Sequence, residues 1–265
     1  MVPLNKPNLD GNIIDMDIDR SKIIILVTGS MNSPWDSNWK ECASTWIPLV
    51  RKLGYDVKIA IGDPSIPDLY SDEGDIIRFK ASDSKSGLVD KSVTLPIRWI
   101  LENTGYDYYF RIDSDSFVHP IKFDSLMKRN LIEFSPDYMG TCIPYPGFDP
   151  NCTLTTWIEK KDNFTFASGT AYLLSKRVMP NILKSIRIDN DWELECDDYV
   201  LGRAMHENDI PLLHDSSIHM ESKWNPIIAN PNELKMPCIG EKDSHLAIQH
   251  YQNGHMVDIM LELIK

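Results

Sequence analysis

A chain of 265 residues is long enough for one large domain or two small ones, and 42% hydrophobic with 25% charged residues is ordinary for a folded globular protein. The formal net charge of -12 argues against a nucleic-acid backbone or an anionic membrane surface as the main partner; an anionic nucleotide needs only a local cation and is not excluded. The apolar run Ile23-Ile24-Ile25-Leu26-Val27 is far too short to span a bilayer.

Residues 1–20 are polar and acidic, with neither a basic start nor an apolar signal core, and are expected to be an extension before the domain. Residues 22–28 predict a buried strand ending in the small-residue turn Gly29-Ser30, a common place for a ligand loop in α/β folds. Asp36 or Ser37 is placed to cap a helix with Trp39, Ala43, Trp46, Ile47 and Val50 inward, kinked at Pro48 and ended by Gly54. Strands are expected at 56–61 and 75–79, then a helix over 88–102, kinked at Pro96, with Val93, Ile97, Ile100 and Leu101 inward.

The stretch Asp107-Tyr108-Tyr109-Phe110-Arg111-Ile112-Asp113-Ser114-Asp115-Ser116-Phe117-Val118 reads as a buried strand running out into an acidic turn. Because side chains alternate along an extended chain, Asp113 and Asp115 are expected to point to the same side. Two hard carboxylate ligands suit Mg²⁺ or Mn²⁺, with a diphosphate completing the shell. A solvated acidic turn is the plainer reading of a lone Asp-x-Asp. Strands alternating with helices predict a mostly parallel sheet that binds ligands at the carboxyl ends of its strands, where this pair falls.

Further on, 120–130 reads as a helix, 138–143 as a short strand and 144–151 as a Pro- and Gly-rich loop. Residues 164–174 are strand-like with small residues mid-run, which lets a ligand or another backbone approach, and Ser175 is placed to cap a helix. A helix over 192–208 has an acidic first half, and Asp198 shares a face with Leu201, Gly202 and Met205. A last helix is expected from about Met256. The cysteines Cys42, Cys142, Cys152, Cys196 and Cys238 are scattered, without Cys-x-x-Cys, and fit reduced thiols better than a zinc site. Asn151-Cys152-Thr153 and Asn163-Phe164-Thr165 match the glycosylation acceptor pattern, which has meaning only along a secretory route.

Four separated segments fall in one order: Gly87-Leu88-Val89-Asp90-Lys91-Ser92 through Arg98-Trp99-Ile100; Arg111-Ile112-Asp113-Ser114-Asp115-Ser116-Phe117-Val118; Ala167-Ser168-Gly169-Thr170-Ala171-Tyr172-Leu173-Leu174-Ser175-Lys176; and Asp197-Asp198-Tyr199-Val200-Leu201-Gly202. Together they resemble the inverting glycosyltransferases of the β-1,3-galactosyltransferase, fringe and core-1 galactosyltransferase type. His245-Leu246-Ala247-Ile248-Gln249-His250-Tyr251 adds a likeness to the core-1 enzymes.

The resemblance covers about residues 22–255. It departs from the family pattern at Asp197, where Glu is usual, at Tyr199 for Val, and at Arg111 for Lys. The usual arginine of the first helix is also not evident before Thr45-Trp46.

The resemblance implies an α/β domain of GT-A type, with a Rossmann-like, mostly parallel sheet flanked by helices, over 1–265. It implies a hexosyl- or pentosyltransferase that moves sugar from a UDP-sugar donor to a hydroxyl of a glycan or glycoprotein acceptor, with inversion to a β-linkage and with Mn²⁺ or Mg²⁺. Asp113, Asp115 and a histidine would hold the metal, His219 being preferred to His250 and His214. Asp198 would be the general base, with Asp197 second. Thr28, Ser30, Lys91, Arg111, Asp113, Ser114 and Asp115 would border the donor. The setting would be cytoplasmic if the chain is complete and the Golgi lumen if it is an excised ectodomain. Two rivals are an inactive sugar-nucleotide or glycan-binding relative and a phosphohydrolase of the haloacid dehalogenase type. The second needs its Asp-x-Asp near the chain start, and Asp113 lies far along.

Overall fold

The protein is described by a computed structural model over residues 17–32, 36–84, 87–143, 155–158, 166–186, 197–215, 217–219 and 248–250. The strands are β1 (Ile23–Thr28), β2 (Asp56–Gly62), β3 (Tyr70–Asp72), β4 (Ile76–Phe79), β5 (Tyr108–Asp113), β6 (Ser116–Val118), β7 (Tyr138–Ile143), β8 (Thr155–Ile158), β9 (Phe166–Ser175), β10 (Leu212–Asp215), β11 (Ile218–His219) and β12 (Ile248–His250). The α-helices are α1 (Asp36–Ser44), α2 (Ile47–Lys52), α3 (Leu95–Asn103), α4 (Pro120–Glu133), α5 (Met179–Ser185) and α6 (Asp197–Glu207).

Every residue of β1 is buried, because the strand runs through the middle of a sheet covered on both faces. Ile23, Ile25 and Val27 enter one core, closed by α1, α2 and α4; Ile24 and Leu26 enter the other, closed by α3, α5 and α6. The α/β class expected from the sequence is therefore present. Nine strands lie in the order β3-β4-β2-β1-β5-β9-β7-β10-β8, and a second, three-stranded sheet has the order β11-β12-β6.

The expectation of a mostly parallel sheet is corrected. The block β4-β2-β1-β5 is parallel throughout, but β9 runs antiparallel to both β5 and β7, so the far half is mixed. A parallel neighbour needs a long crossover, usually a helix; between β7 and β9 the described residues contain only β8.

The proline kink expected at Pro48 is a helix start instead. The first helical segment is broken at Thr45-Trp46 and Pro48 stands in the first turn of α2, where its missing N–H leaves no bond unmade. Cys42, not Ala43, faces inward there. Pro96 lies inside a helical run that continues from 88 to 103, directly after a π-helical stretch at Asp90–Thr94 in which the Leu95 N–H reaches back to the Asp90 carbonyl. Ser175 does not cap α5; its hydroxyl donates to Asp137, and α5 starts after Val178 without a side-chain cap.

The tail of the expected extension belongs to the fold. Arg20 Nε lies 2.7 Å from Asp124 Oδ1 of α4, which also accepts from the Tyr55 hydroxyl at 2.9 Å. The loop expected at 144–151, the helix from 256, residues 192–196 of the acidic helix, and Cys152, Cys196 and Cys238 lie outside the described residues.

Candidate active site

β1 and β5 are parallel neighbours whose last residues are in register, Thr28 beside Asp113. The loops leaving them, 29–32 and 114–115, open at the carboxyl end of the sheet, where α/β folds hold ligands. Thr28 is buried and its hydroxyl oxygen has no hydrogen-bond partner among the described residues. Its carbonyl accepts from the Ser114 N–H at 3.3 Å, which ties the two loops at their root.

Arg111 and Asp113 are two apart on β5 and so share the face covered by α6. Arg111 is enclosed, at 2% exposure, and pairs across the sheet with Tyr172 of β9, its guanidinium 5.6 Å from the ring centroid. Its Nη2 lies 2.7 Å from Asp113 Oδ1 and 3.0 Å from Asp197 Oδ2 of α6. Burial by itself would favour the neutral form; the charges of Asp113 and Asp197 overcome it and hold the guanidinium protonated. One nitrogen thus joins the acidic turn to the acidic helix.

The expectation that Asp113 and Asp115 point to one side by simple alternation does not hold, because β5 ends at Asp113 and residues 114–115 form a turn into β6. The turn is fastened from below. Cys42 Sγ donates to the Ser114 carbonyl at 3.0 Å, and Trp46 Nε1 donates to the Ser116 carbonyl at 3.1 Å. Burial pushes the Cys42 thiol up, and the charge of nearby Asp115 adds to it.

Asp198, the second residue of the described part of α6, is less buried than its neighbour Asp197. Its Oδ2 accepts from the Gly169 N–H at 2.9 Å. A Cβ on Gly169 would stand 3.3 Å from both Asp198 Oδ2 and Arg111 Nη1, so the small residue anticipated in β9 is what lets that backbone reach the carboxylate. Burial raises the Asp198 carboxyl above the ordinary carboxylate range; the Asp197 charge adds, and the Gly169 N–H and Arg111 oppose.

The histidines separate. His214 is buried, with Nδ1 accepting from the Cys142 N–H at 3.1 Å, a structural role that leaves it turned into the sheet. His219 and His250 are described in backbone only. In register His250 stands opposite Ser116, next to the acidic turn, while His219 pairs with Gln249, itself opposite Phe117. Among the described residues no three His, Cys, Asp or Glu side chains gather as a metal-holding group. What stands at the strand end is two hard carboxylates, Asp113 and Asp115, a donor type that fits Mg²⁺ or Mn²⁺ once a diphosphate adds its oxygens.

Lys91, expected from the resemblance to border the donor, is enclosed. At 4% exposure its ammonium donates to the Gly29 carbonyl at 3.0 Å and to Asp83 Oδ1 at 2.7 Å. Asp83 also accepts from Ser30 Oγ at 2.6 Å. The sequence reading missed Asp83. Its only signal is an acid in the loop after a parallel strand, eight positions before Lys91.

No curated protein sequence matches the chain. Among solved structures, a glycosyltransferase involved in the glycosylation of the major capsid of PBCV-1 is 12% identical, with a TM-score of 0.49, covering 91% of this chain and 98% of that one. The inositol-1-phosphate CTP transferase from T. maritima is 10% identical, with a TM-score of 0.42, covering 76% and 86%. At such values neither bears on substrate or residue roles. The sequence signature described as Galactosyltransferase matches residues 69–216, more than half of the chain, and takes in the Asp113 turn, the β9 strand and the start of α6. The resemblance drawn from the four segments is thereby borne out, and the chain belongs to the galactosyltransferase family.

Proposed function

We propose that this protein is a metal-dependent inverting glycosyltransferase that moves a sugar from a UDP-sugar to an acceptor hydroxyl, forming a β-linkage, and that residues 1–265 act as one transferase domain. The observation that carries the reading is Arg111. It ties Asp113, at the carboxyl end of β5, to Asp197, beside Asp198, so a donor motif and a base candidate are built as one unit. Strands drawn from residues 23 to 215 in one sheet support the single domain.

Asp113 and Asp115, with His219 as the preferred third group, would hold the cation, which when bound offsets the charge developing on the departing diphosphate. The chain's own residues divide the remaining work. Thr28, Ser30 and Ser114 border the donor at the ends of β1 and β5. Asp198 accepts the proton of the acceptor hydroxyl as the new bond forms. Its raised proton affinity suits that task, because a base closer to neutrality takes up the proton with a stronger driving force. Asp197 is the poorer candidate: it is more buried and already paired with Arg111. No helix among the described residues is long and apolar enough to cross a membrane.

Titration calorimetry of UDP with and without Mn²⁺ tests the donor side. Binding is expected only with the ion, and Asp115→Ala is expected to abolish it. Equal UDP affinity in chelator, or an Asp115→Ala protein that binds as tightly as the parent, counts against the metal reading. Release of UDP from a panel of UDP-sugars identifies the sugar.

A further inference from the structure

We propose that Asp83 is a positioning residue for the donor-side loop, acting through Ser30, Met31, Asn32 and Lys91; this rests on the reading that residues 29–32 border the donor. Asp83 lies beyond β4, where Gly87 returns against Ser82. A Cβ on Gly87 would lie 2.0 Å from the Ser82 carbonyl oxygen, so only glycine admits that return. The return brings Asp83 against Lys91 and over the end of β1.

The carboxylate is saturated by that loop. Oδ2 accepts from Ser30 Oγ at 2.6 Å, from the Met31 N–H at 2.8 Å and from Asn32 Nδ2 at 3.3 Å, while Oδ1 accepts from Lys91 Nζ at 2.7 Å. The loop is cross-braced as well: the Asn32 N–H donates to Ser30 Oγ at 3.0 Å, Trp39 Nε1 to the Ser30 carbonyl at 2.9 Å, and Lys91 Nζ to the Gly29 carbonyl at 3.0 Å. With its backbone held on the inner side, the loop leaves the Met31 side chain 49% exposed. Burial alone would raise the Asp83 carboxyl; the hydrogen bonds from Lys91 and Ser30 hold it below the usual range, so it is ionised.

Two roles for Lys91 then predict opposite signs. If Lys91 contacts the diphosphate itself, Asp83 is a competing anion, and removing its charge frees a cation and tightens donor binding. If Lys91 and Asp83 act together to hold the loop, removing either one weakens donor binding, and removing both is no worse than removing one, as expected for residues of a single network. The structure favours the second, because Lys91 is enclosed and its ammonium is already engaged twice.

The test uses Asp83→Asn, Lys91→Met, the double variant and the milder Ser30→Ala. UDP binding is measured with Mn²⁺, and hydrogen exchange is measured at the Met31 and Asn32 amides. Each strong variant is expected to weaken UDP binding about tenfold or more, in line with the loss of a hydrogen-bonded charge, with a raised donor KM and little change in kcat. Exchange at the two amides is expected to accelerate in Asp83→Asn without any ligand present. Tighter UDP binding by Asp83→Asn, or additive losses in the double variant, overturns the proposal in favour of direct contact. Unchanged exchange in Asp83→Asn overturns it too, whatever donor the protein takes. Failure of the unaltered protein to bind UDP counts against the donor reading, and the exchange result then decides the loop's dependence on Asp83. Ser30→Ala, which leaves the Asp83–Lys91 pair in place, is expected to show a smaller loss in the same direction; no loss in a folded Ser30→Ala protein would remove Ser30 from the set.

Discussion

Replacing Arg111 with methionine keeps most of the side chain's length and apolar volume but removes the charge that two carboxylates share. Removing one partner of a buried ion pair typically costs about 3–5 kcal/mol, because the other charge is left without compensation. That range applies here mainly through Asp197, whose side chain is 6% exposed; Asp113, at 31%, regains water and contributes less. Loss of the guanidinium over the Tyr172 ring adds roughly 0.5–2 kcal/mol. Against this, Nε and Nη1 of Arg111 have no hydrogen-bond partner among the described residues, and removing such buried donors returns about 1–3 kcal/mol each at most. At midrange these contributions leave a net loss of about 1 kcal/mol. Equilibrium urea unfolding, with m-values compared, measures it.

The same accounting says that Asp197→Asn added to Arg111→Met restores stability, since no unpaired charge is then left inside. Arg111→Lys should be far milder than either. A single nitrogen, Nη2, makes both contacts, and one ammonium offers the same point of charge, which also explains how the family's usual lysine serves at this position. A gain in stability for Arg111→Met, or a further loss on adding Asp197→Asn, would refute this account of the bridge.

Asp198→Asn should leave Mn²⁺-dependent UDP binding intact and lower transfer by about 10²–10⁴-fold; Asp197→Asn should act mainly on stability, and the reverse ranking moves the base by one residue. Because burial and Asp197 raise the Asp198 carboxyl, kcat/KM should fall as pH drops through a value above the ordinary carboxylate range, the base being lost by protonation. Asp198→Asn should remove that limb, and an acid limb at the usual carboxylate value would contradict the assignment. His219→Ala should weaken Mn²⁺-dependent UDP binding more than His250→Ala does, while His214→Ala should lower the unfolding midpoint without touching UDP affinity, since His214 is bound to the Cys142 N–H; calorimetry and urea unfolding of the three variants decide the ranking.

The features legible in the sequence were those that depend on one segment at a time. The unbroken apolar run of β1, the strand leading to Asp113 and the small residues around Gly169 each announce themselves by local pattern, and each lies where expected. What the pattern hid depends on two segments meeting. Nothing in the spacing of Asp83 shows that its loop folds back onto Ser30, because that follows from a tight return at Gly87 and not from periodicity. Arg111 is expected from the resemblance to border the donor; nothing in its spacing shows that β9, with Tyr172 opposite, and Asp197 of α6 enclose it. The proline at 48 misled for a physical reason. Proline's missing N–H is harmless in a first helical turn, and the sequence does not say which turn is first. The strands β6, β11 and β12 are two or three residues long, too short to carry a period.

The small sheet has a consequence for the order in which the molecule becomes complete. β6, the strand that leads directly out of the Asp-x-Asp turn, is paired on one edge by β12, which comes from residues 248–250, more than a hundred positions later in the chain. All nine strands of the large sheet have left the ribosome before β12 does. A nascent chain can therefore assemble one core, and the other except for Ile248, while the strand behind the acidic turn still lacks β12. A chain stopped at 247 keeps every strand of the large sheet and loses that clasp. Such a truncated protein is expected to unfold cooperatively like the parent, yet to expose the amides of Ser116–Val118 to solvent exchange. The far end of the chain thus acts as a late-arriving latch on a turn laid down near its middle.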